Sequence, residues 1–158
     1  MKIGVYPGTF DPITDGHLDI IKRANQLFDL LYIVVPINPQ KNTLFTIEER
    51  LDMIRKAVSD YKNIIVESTN LLTVEYAKSV NAVAMIRGLR MVSDFEYELQ
   101  MATINKCLDE DIETIFIMSS HEYSFLSSSS VKEIARFHGD VSKFVPNVVC
   151  EKLKEKFE

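Results

Sequence analysis

The sequence has no tryptophan and is poor in cysteine, glycine and proline, with two, five and five of these among 158 residues. So little glycine and proline excludes collagen-like and low-complexity chains. Cys107 and Cys150 form no C-x-x-C pair, so we expect reduced thiols in a cytoplasmic protein. The longest apolar run, residues 30–37, contains Pro36 and is too short to span a bilayer. Because Met1–Pro7 also lacks the features of a targeting segment, we expect no membrane association.

Positive charge is also scarce. Eighteen lysines and arginines stand against 23 acidic residues, a net charge of −5. A protein that binds nucleic acid through its backbone charge normally carries a basic surplus, so we expect no nucleic-acid partner. Apolar residues make up 46% of the chain and charged residues 26%, which is typical of globular proteins. The length predicts a single domain over residues 1–158.

Several motifs of well-known enzyme classes are missing. The sequence has no G-x-x-x-x-G-K-[ST] phosphate loop, no G-x-G-x-x-G dinucleotide fingerprint and no G-x-S-x-G nucleophile elbow. His121-Glu122 begins like a zinc-protease motif, but Phe125 stands where the second histidine would be. We therefore predict no metal site built from protein side chains.

The chain instead alternates short β-branched runs with amphipathic segments. Strands are predicted over 3–6, 32–37, 63–67, 82–87 and 114–118, and helices over 16–28, 46–59, 73–80, 93–108, 129–137 and 146–157. Thr46 with Glu49 and Ser93 with Glu96 have capping-box spacing, and Gly139 is expected at the C′ position of its helix. This order predicts an α/β fold, a Rossmann-like, doubly wound parallel sheet of five strands with helices on both faces.

Ligands of such sheets bind at the carboxyl ends of the strands. Small, hydroxyl-bearing and basic residues occupy the loops that follow four of the strands, at 7–17, 38–41, 87–90 and 119–130. Each feature alone has a structural explanation. The glycines could serve turns, and His17 could cap a helix. Arg87 and Arg90 could form salt bridges to Asp94 or Glu96, and the loop at 119–130, called the serine loop below, could be flexible. Together the cations, hydroxyls and helix N-termini indicate a polyphosphate ligand.

Residues 14–17, Thr-Asp-Gly-His, resemble the T/H-x-G-H signature of the nucleotidyltransferase superfamily. Four further stretches resemble bacterial phosphopantetheine adenylyltransferases in order and spacing, so that the resemblance covers nearly the whole chain. These stretches are residues 6–12, 45–50, 87–98 and 127–133.

The resemblance implies transfer of the adenylyl group of ATP to 4′-phosphopantetheine, giving dephospho-coenzyme A and pyrophosphate. It implies that ATP is bound by Thr9, Phe10, His17, Gly88, Leu89, Arg90, Glu98, Tyr123, Ser124, Phe125, Leu126, Ser127, Ser128 and Ser129. It implies that phosphopantetheine is bound by Thr9, Lys41, Thr73 and Arg87. Asn70 and Thr73 depart from residues common in the family, and Tyr123 stands where some members have tryptophan.

The chemistry agrees with these residues. A phosphate monoester is mostly dianionic at neutral pH, since its second pKa is about 6, and so needs no general base. Positioning and preorganised charge then carry the transfer. We assign the catalytic roles to His17 and Thr9 at the α-phosphate, Lys41 and Arg87 at the incoming phosphate, and Arg90 with the serine loop at the β- and γ-phosphates. We expect His17 to face solvent and to contribute little packing.

The resemblance further implies Mg²⁺ bound through the ATP phosphates, coenzyme A as a product-like inhibitor, and a homohexamer. Two alternatives stay open. The chain could be another nucleotidyltransferase of the superfamily, with nicotinamide mononucleotide or a glycerol phosphate as acceptor, or a non-catalytic ATP-binding module. An RNA-binding fragment related to tRNA synthetases conflicts with the acidic balance of the chain.

Overall fold

The computed structural model describes residues 1–158, except for the side chains of Val92 and Ser93. Its five strands are β1 (Ile3–Pro7), β2 (Leu30–Pro36), β3 (Ile64–Thr69), β4 (Ala84–Leu89) and β5 (Glu113–Met118). They form one sheet in the order β3-β2-β1-β4-β5, and every neighbouring pair is parallel. The predicted fold class is confirmed.

The helices are α1 (Asp15–Ala24), α2 (Ile47–Ala57), α3 (Thr73–Ser79), α4 (Val92–Leu108), α5 (Ser128–Arg136) and α6 (Asn147–Phe157), with a short 3-10 helix over His121–Tyr123. Helix α1 ends four residues earlier than predicted, and Phe28 leaves it to pack on the sheet. A Cβ on Gly4 would lie 2.8 Å from the Phe28 ring, so the close packing of Phe28 requires glycine at that position.

Alternate side chains of the central strands point to opposite faces of the sheet. Leu31 and Ile33 pack with one set of helices, α1, α2, α5 and α6, whereas Val5, Val34 and Met85 pack with α3. Helix α4 lies against β4. Helices thus cover both faces, which explains why the strands read as uniformly apolar in the sequence.

The helix termini confirm one predicted capping box and correct another prediction. Thr46 and Glu49 cap each other's backbone at the start of α2, while the predicted box of Ser93 lies outside the described side chains. At the end of α5 it is His138, at φ 58°, that occupies the C′ position, not Gly139. The Gly139 N–H donates to the Ile134 carbonyl at 2.9 Å, which makes Gly139 the C″ residue of a Schellman motif.

The sheet order places the change of winding direction between β1 and β4. From β1 the chain winds outward to β2 and β3, then crosses back to β4 and β5. Loops leaving β1 and β4 in opposite directions open a crevice at the carboxyl ends of these strands. The loops singled out in the sequence meet there.

Candidate active site

A cleft of about 490 Å³ lies at this crevice. Thirteen of the predicted site residues line it: Thr9, Phe10, His17, Lys41, Arg87, Gly88, Arg90, Glu98, Tyr123, Leu126, Ser127, Ser128 and Ser129. Four do not: Leu89 is buried, Ser124 Oγ donates to the His121 carbonyl, Phe125 is exposed and packs on Phe144, and Thr73 lines a neighbouring cavity of about 190 Å³. The structure therefore brings the predicted phosphate-binding side chains to one place.

His17 is fixed by a capping box with Thr14, the structural role that the sequence left open for it. It is residue N3 of α1: its N–H donates to Thr14 Oγ1 at 3.3 Å, and its Nδ1 accepts from the Thr14 N–H at 3.0 Å. Because Nδ1 accepts a backbone proton, the neutral ring carries its own proton on Nε2. The Phe10 ring packs edge-on at 4.9 Å. The ring is thus half-buried and oriented, and the expectation of a solvent-facing His17 is wrong.

Electrostatics hold this imidazole neutral. Burial, together with the guanidinium charges of Arg90 and Arg87, lowers the pKa of His17 to about 4. At pH 7 the side chain is therefore a neutral N–H donor and not a cation.

The loop after β1 is tightly folded around Phe10. This residue has φ 48°, an uncommon conformation for a bulky side chain, and its buried ring packs edge-on against Tyr6 at 5.3 Å. A Cβ on Gly8 would lie 2.8 Å from the Phe10 ring, so Gly8 is required by this turn. A Cβ on Gly16, by contrast, would meet protein atoms only at 3.4 Å or more. A small side chain would therefore fit at Gly16 in van der Waals contact with Thr14, Tyr123 and Leu126, at the wall of the cleft.

Three basic side chains of the cleft differ in their partners. Lys41 Nζ donates to Thr9 Oγ1 at 2.5 Å, a neutral hydroxyl. Arg87 forms a bidentate pair with Glu98, at 2.7 Å for both bonds, and donates to the Pro7 carbonyl at 3.0 Å.

Arg90 donates to Asp94 at 3.1 Å and to the Leu126 carbonyl at 3.0 Å. The salt bridge of Arg90 to Asp94 is one the sequence left open, whereas Arg87 pairs with Glu98 and not with Asp94 or Glu96. Burial alone would lower the pKa of Arg87, but the hydrogen bonds and charge of Glu98 raise it.

The serine loop presents the N-terminus of α5 to the cleft. Ser127 caps the helix through Ser130, with Ser130 N–H donating to Ser127 Oγ at 3.1 Å. Ser128 Oγ donates to the Pro12 carbonyl at 2.7 Å, which ties this loop to the loop after β1. Among the backbone N–H groups of the first helical turn, those of Ser128 and Ser129 remain available to an anion.

Sequence reasoning missed the residues that hold these loops in place. Asp11 and Arg50 are buried, and Lys132 lines the cleft beside Asp11. Arg50 donates to the Thr9 carbonyl at 2.9 Å. All three lie within the stretches that carry the family resemblance, but only their burial and contacts reveal what they do.

The described side chains of the cleft form no cluster suited to hold a metal without help from a ligand. Among the side chains that the structure describes, no three histidines, cysteines, aspartates and glutamates come together. The carboxylates of Asp94 and Glu98 are engaged by arginines. No helix in the described part of the chain is long and apolar enough to cross a membrane.

Comparison with known proteins identifies relatives over the whole chain. The cytidylyltransferase-like family matches residues 5–134. The chain is 55% identical over 158 residues to the phosphopantetheine adenylyltransferase of Caldanaerobacter subterraneus subsp. tengcongensis, covering 100% of this chain and 99% of the relative. It is 51% identical over 156 residues to that of Alkaliphilus metalliredigens, covering 99% of each.

Solved structures show the same fold at low identity. A Vibrio parahaemolyticus protein described as a nicotinate-nucleotide adenylyltransferase has a TM-score of 0.76 at 17% identity, covering 99% of this chain and 95% of its own. The Plasmodium falciparum nicotinic acid mononucleotide adenylyltransferase, solved with NaAD, has a TM-score of 0.68 at 15% identity, covering 98% and 95%. Since more than half its residues are identical to those of a full-length relative, the chain belongs to the phosphopantetheine adenylyltransferases of the cytidylyltransferase-like family.

Proposed function

We propose that the chain transfers the adenylyl group of ATP to 4′-phosphopantetheine, producing dephospho-coenzyme A and pyrophosphate. The observation that carries the proposal is the convergence of Thr9, His17, Lys41, Arg87 and Arg90 on one cleft at the switch point of the sheet. The identity to phosphopantetheine adenylyltransferases supports the choice of acceptor.

The transfer joins two anions, so the first task of the protein is to bring them together. Lys41 and Arg87 would bind the phosphate of the acceptor, and Arg90 with the N-terminus of α5 would bind the β- and γ-phosphates of ATP. The acceptor oxygen attacks the α-phosphorus, the bond to the β-phosphate breaks, and pyrophosphate leaves with its electron pair. Because the attacking oxygen is already ionised, no side chain has to remove a proton.

His17 acts on the α-phosphate as a donor. Because Nδ1 accepts from the Thr14 N–H, the Nε2–H group of the ring is free to donate to the phosphate. A neutral donor fixed in advance stabilises charge that develops on phosphate oxygens without reorganising during the reaction. Thr9, which faces the same region and bonds Lys41, would orient the incoming phosphate.

Mg²⁺ would enter with ATP, bound through the phosphate oxygens. The described side chains of the cleft are chiefly cations and hydroxyls, which fits an ion that keeps its water and phosphate ligands. The ion would neutralise part of the phosphate charge. We expect chelation by excess EDTA to abolish turnover and added Mg²⁺ to restore it.

The smaller cavity suits the pantetheine arm. It is lined by Thr73, Met85, Tyr97 and Met101, and shares Pro7, Arg87 and Glu98 with the cleft. A phosphate at Arg87 would place the uncharged arm of the same molecule in this cavity. Thr73 would then contact the arm, although it lies away from the phosphate site.

The decisive experiment follows pyrophosphate release by the purified protein with MgATP and 4′-phosphopantetheine. Parallel reactions with nicotinamide mononucleotide and with glycerol 3-phosphate test the other acceptors. Equal or faster turnover with either would show that the acceptor assignment is wrong. ATP binding without turnover on any acceptor would identify a non-catalytic module.

We propose a homohexamer as the assembly, and helix α4 supports contact between copies. Its exposed residues include Phe95, Leu99, Ile104 and Leu108, each with more than two fifths of its surface accessible. Phe95 and Leu99 lie on the opposite side of the helix from Ile104 and Leu108, so apolar side chains are exposed on two sides of α4. Exposed apolar patches normally mark interfaces between proteins. Coenzyme A, which has the groups of the product plus one phosphate, would compete at the cleft. Cys107 and Cys150 are free thiols, which supports the cytoplasmic location that we propose.

A further inference from the structure

Asp11 is a buried carboxylate at the back of the cleft, and all its described donors come from other segments of the chain. Its Oδ1 accepts from the Phe45 N–H at 2.9 Å, and its Oδ2 accepts from the Leu44 N–H at 2.9 Å and from Lys132 Nζ at 2.8 Å. Only 4% of its side chain is exposed. Three donors make this one side chain the junction of three segments: the loop after β1, the segment after β2 and helix α5.

The segment after β2 has few other anchors. Residues 37–42, which include Lys41, are all exposed, so none of them is held by the core. The next fixed point is Phe45, which is 1% exposed and whose backbone N–H bonds Asp11. A loop with exposed side chains takes its position from its ends. The Asp11 carboxylate fixes the downstream end of this one.

Asp11 and Lys41 join the same two segments at different points. Asp11 lies two residues after Thr9, whose hydroxyl accepts from Lys41 Nζ at 2.5 Å. Arg50 adds a bond to the Thr9 carbonyl at 2.9 Å. The Lys41 ammonium therefore reaches its place in the cleft only if the segment is held at its base.

We propose that Asp11 is a positioning residue for Lys41 in the adenylyl transfer, an inference that rests on the proposed function. The carboxylate does not touch the reacting groups. It aligns the Lys41 ammonium with the phosphate of the acceptor by fixing Leu44 and Phe45 against the loop after β1. A buried ion pair that only stabilised the fold would have no particular link to Lys41.

The test compares Asp11→Asn, Lys41→Ala and the double variant, with Asp52→Asn as the matched control. Asp52 pairs with Lys56 at 2.8 Å on the surface of α2, so the control removes the same charge from an ion pair outside the cleft. Asn at position 11 has one carbonyl oxygen, and its NH₂ group would face a donor. Wild-type turnover measured in the same series tests the proposed function separately, since the inference is judged from ratios between variants.

We expect Asp11→Asn to lower kcat/KM for 4′-phosphopantetheine about 10–100-fold, a loss typical of a misplaced group. The dissociation constant for ATP should change by less than about threefold. Adding Asp11→Asn to Lys41→Ala should cost less than about threefold more, because the two act through one group. Two results would overturn the inference. One is an ATP dissociation constant that rises as much as kcat/KM for 4′-phosphopantetheine falls, and the other is a double variant that loses the full effect of both single variants.

Amide hydrogen exchange of the wild-type protein provides a readout that needs neither turnover nor a stable variant. The Leu44 and Phe45 amides should exchange more slowly than those of residues 40–42, and Asp11→Asn should remove this protection while Asp52→Asn leaves it. If the wild-type Leu44 and Phe45 amides exchange as fast as the exposed loop, Asp11 does not hold the segment and the inference is wrong.

Discussion

At the scale of single residues, His17 combines two roles that a simple alanine variant would confuse. His17→Ala removes the Nε2–H donor, and we expect kcat to fall on the order of 10²–10³-fold with little change in KM. It also removes the side-chain half of the capping box, the bond from the Thr14 N–H to Nδ1, and the contact with Phe10, so the free energy of unfolding should fall by about 1 kcal/mol. A solvent-facing His17, as expected from the sequence, would instead leave the melting temperature near that of the wild type.

His17→Gln keeps the cap and tests the donor. Glutamine is a favoured N3 residue because its side chain reaches back to the N-cap N–H, so this variant should recover most of the melting temperature. Its carbonyl oxygen would accept the Thr14 N–H, which leaves its NH₂ group as a donor near the place of Nε2, so kcat should be higher than in His17→Ala. Normal turnover in a destabilised His17→Ala protein would remove His17 from the mechanism.

The lowered pKa of His17 predicts that the stability of the protein depends on pH. In the unfolded chain histidine titrates near 6.5, and in the folded protein near 4. Between these values the unfolded state binds the extra proton, so stability falls as the pH drops from about 6.5 towards 4, by up to about 1.4 kcal/mol per pH unit. Denaturant titrations at pH 7 and pH 5 should show this loss in the wild type but not in His17→Gln.

Bound ATP should raise the pKa of His17. The charges of Arg90 and Arg87 contribute to the low pKa of His17, and a bound triphosphate would offset them. The NMR titration of His17, identified by its loss in His17→Gln, should therefore shift to higher pH when ATP is added. A titration unaffected by ATP would place the nucleotide away from His17.

Lys41 and Arg87 should affect the acceptor more than ATP. Lys41→Ala removes one charge-assisted contact, so binding of 4′-phosphopantetheine should weaken by about 1.5–3 kcal/mol with little loss of stability. Arg87→Ala also strands the buried Glu98 carboxylate, so Arg87→Met with Glu98→Gln is the better variant. Calorimetric titrations that show equal losses for both substrates would contradict this division of the cleft.

At the scale of elements, the end of α5 offers a test far from the chemistry. His138 is held at φ 58°, where glycine has no steric penalty. His138→Gly should raise the free energy of unfolding by about 0.5–1 kcal/mol without changing kcat. Gly139→Ala should lower the free energy of unfolding, because its Cβ would lie 2.6 Å from Ile134 Cγ2 and 3.1 Å from the Ile134 carbonyl oxygen. Denaturant unfolding of both variants checks the pair.

The elements also show what the sequence could and could not predict. Periodicity located all five strands and six α-helices, because buried parallel strands and amphipathic helices leave strong patterns. The C′ residue of α5 was misplaced because His138 is an unusual residue in a left-handed conformation. For the site, the loops were predicted correctly, but the Thr14–His17 capping box and the Glu98 partner of Arg87 depend on side-chain directions that no spacing reveals.

At the scale of the whole molecule, the exposed apolar residues of α4 predict contact between copies, and we propose six. Light scattering should give six times the mass of one chain, and Leu99→Glu with Ile104→Glu should lower this mass because both charges would be buried between copies. Leu27→Glu, on an exposed apolar residue just after α1, is the control and should leave the mass unchanged. A wild-type protein that is monomeric would contradict the proposed hexamer.

The three carboxylates of the cleft have a consequence for which anions can enter it. Asp11, Asp94 and Glu98 each lie within 3.1 Å of a basic group, so most of the cationic charge is already balanced before any substrate arrives. A diffuse polyanion, such as RNA or a crowd of small phosphates in the cell, meets a weaker field than the basic side chains alone would produce. Only a molecule whose phosphates fit between the existing pairs gains strong hydrogen bonds. The cleft therefore selects its ligands by shape, whereas an unbalanced row of lysines would select them by charge alone.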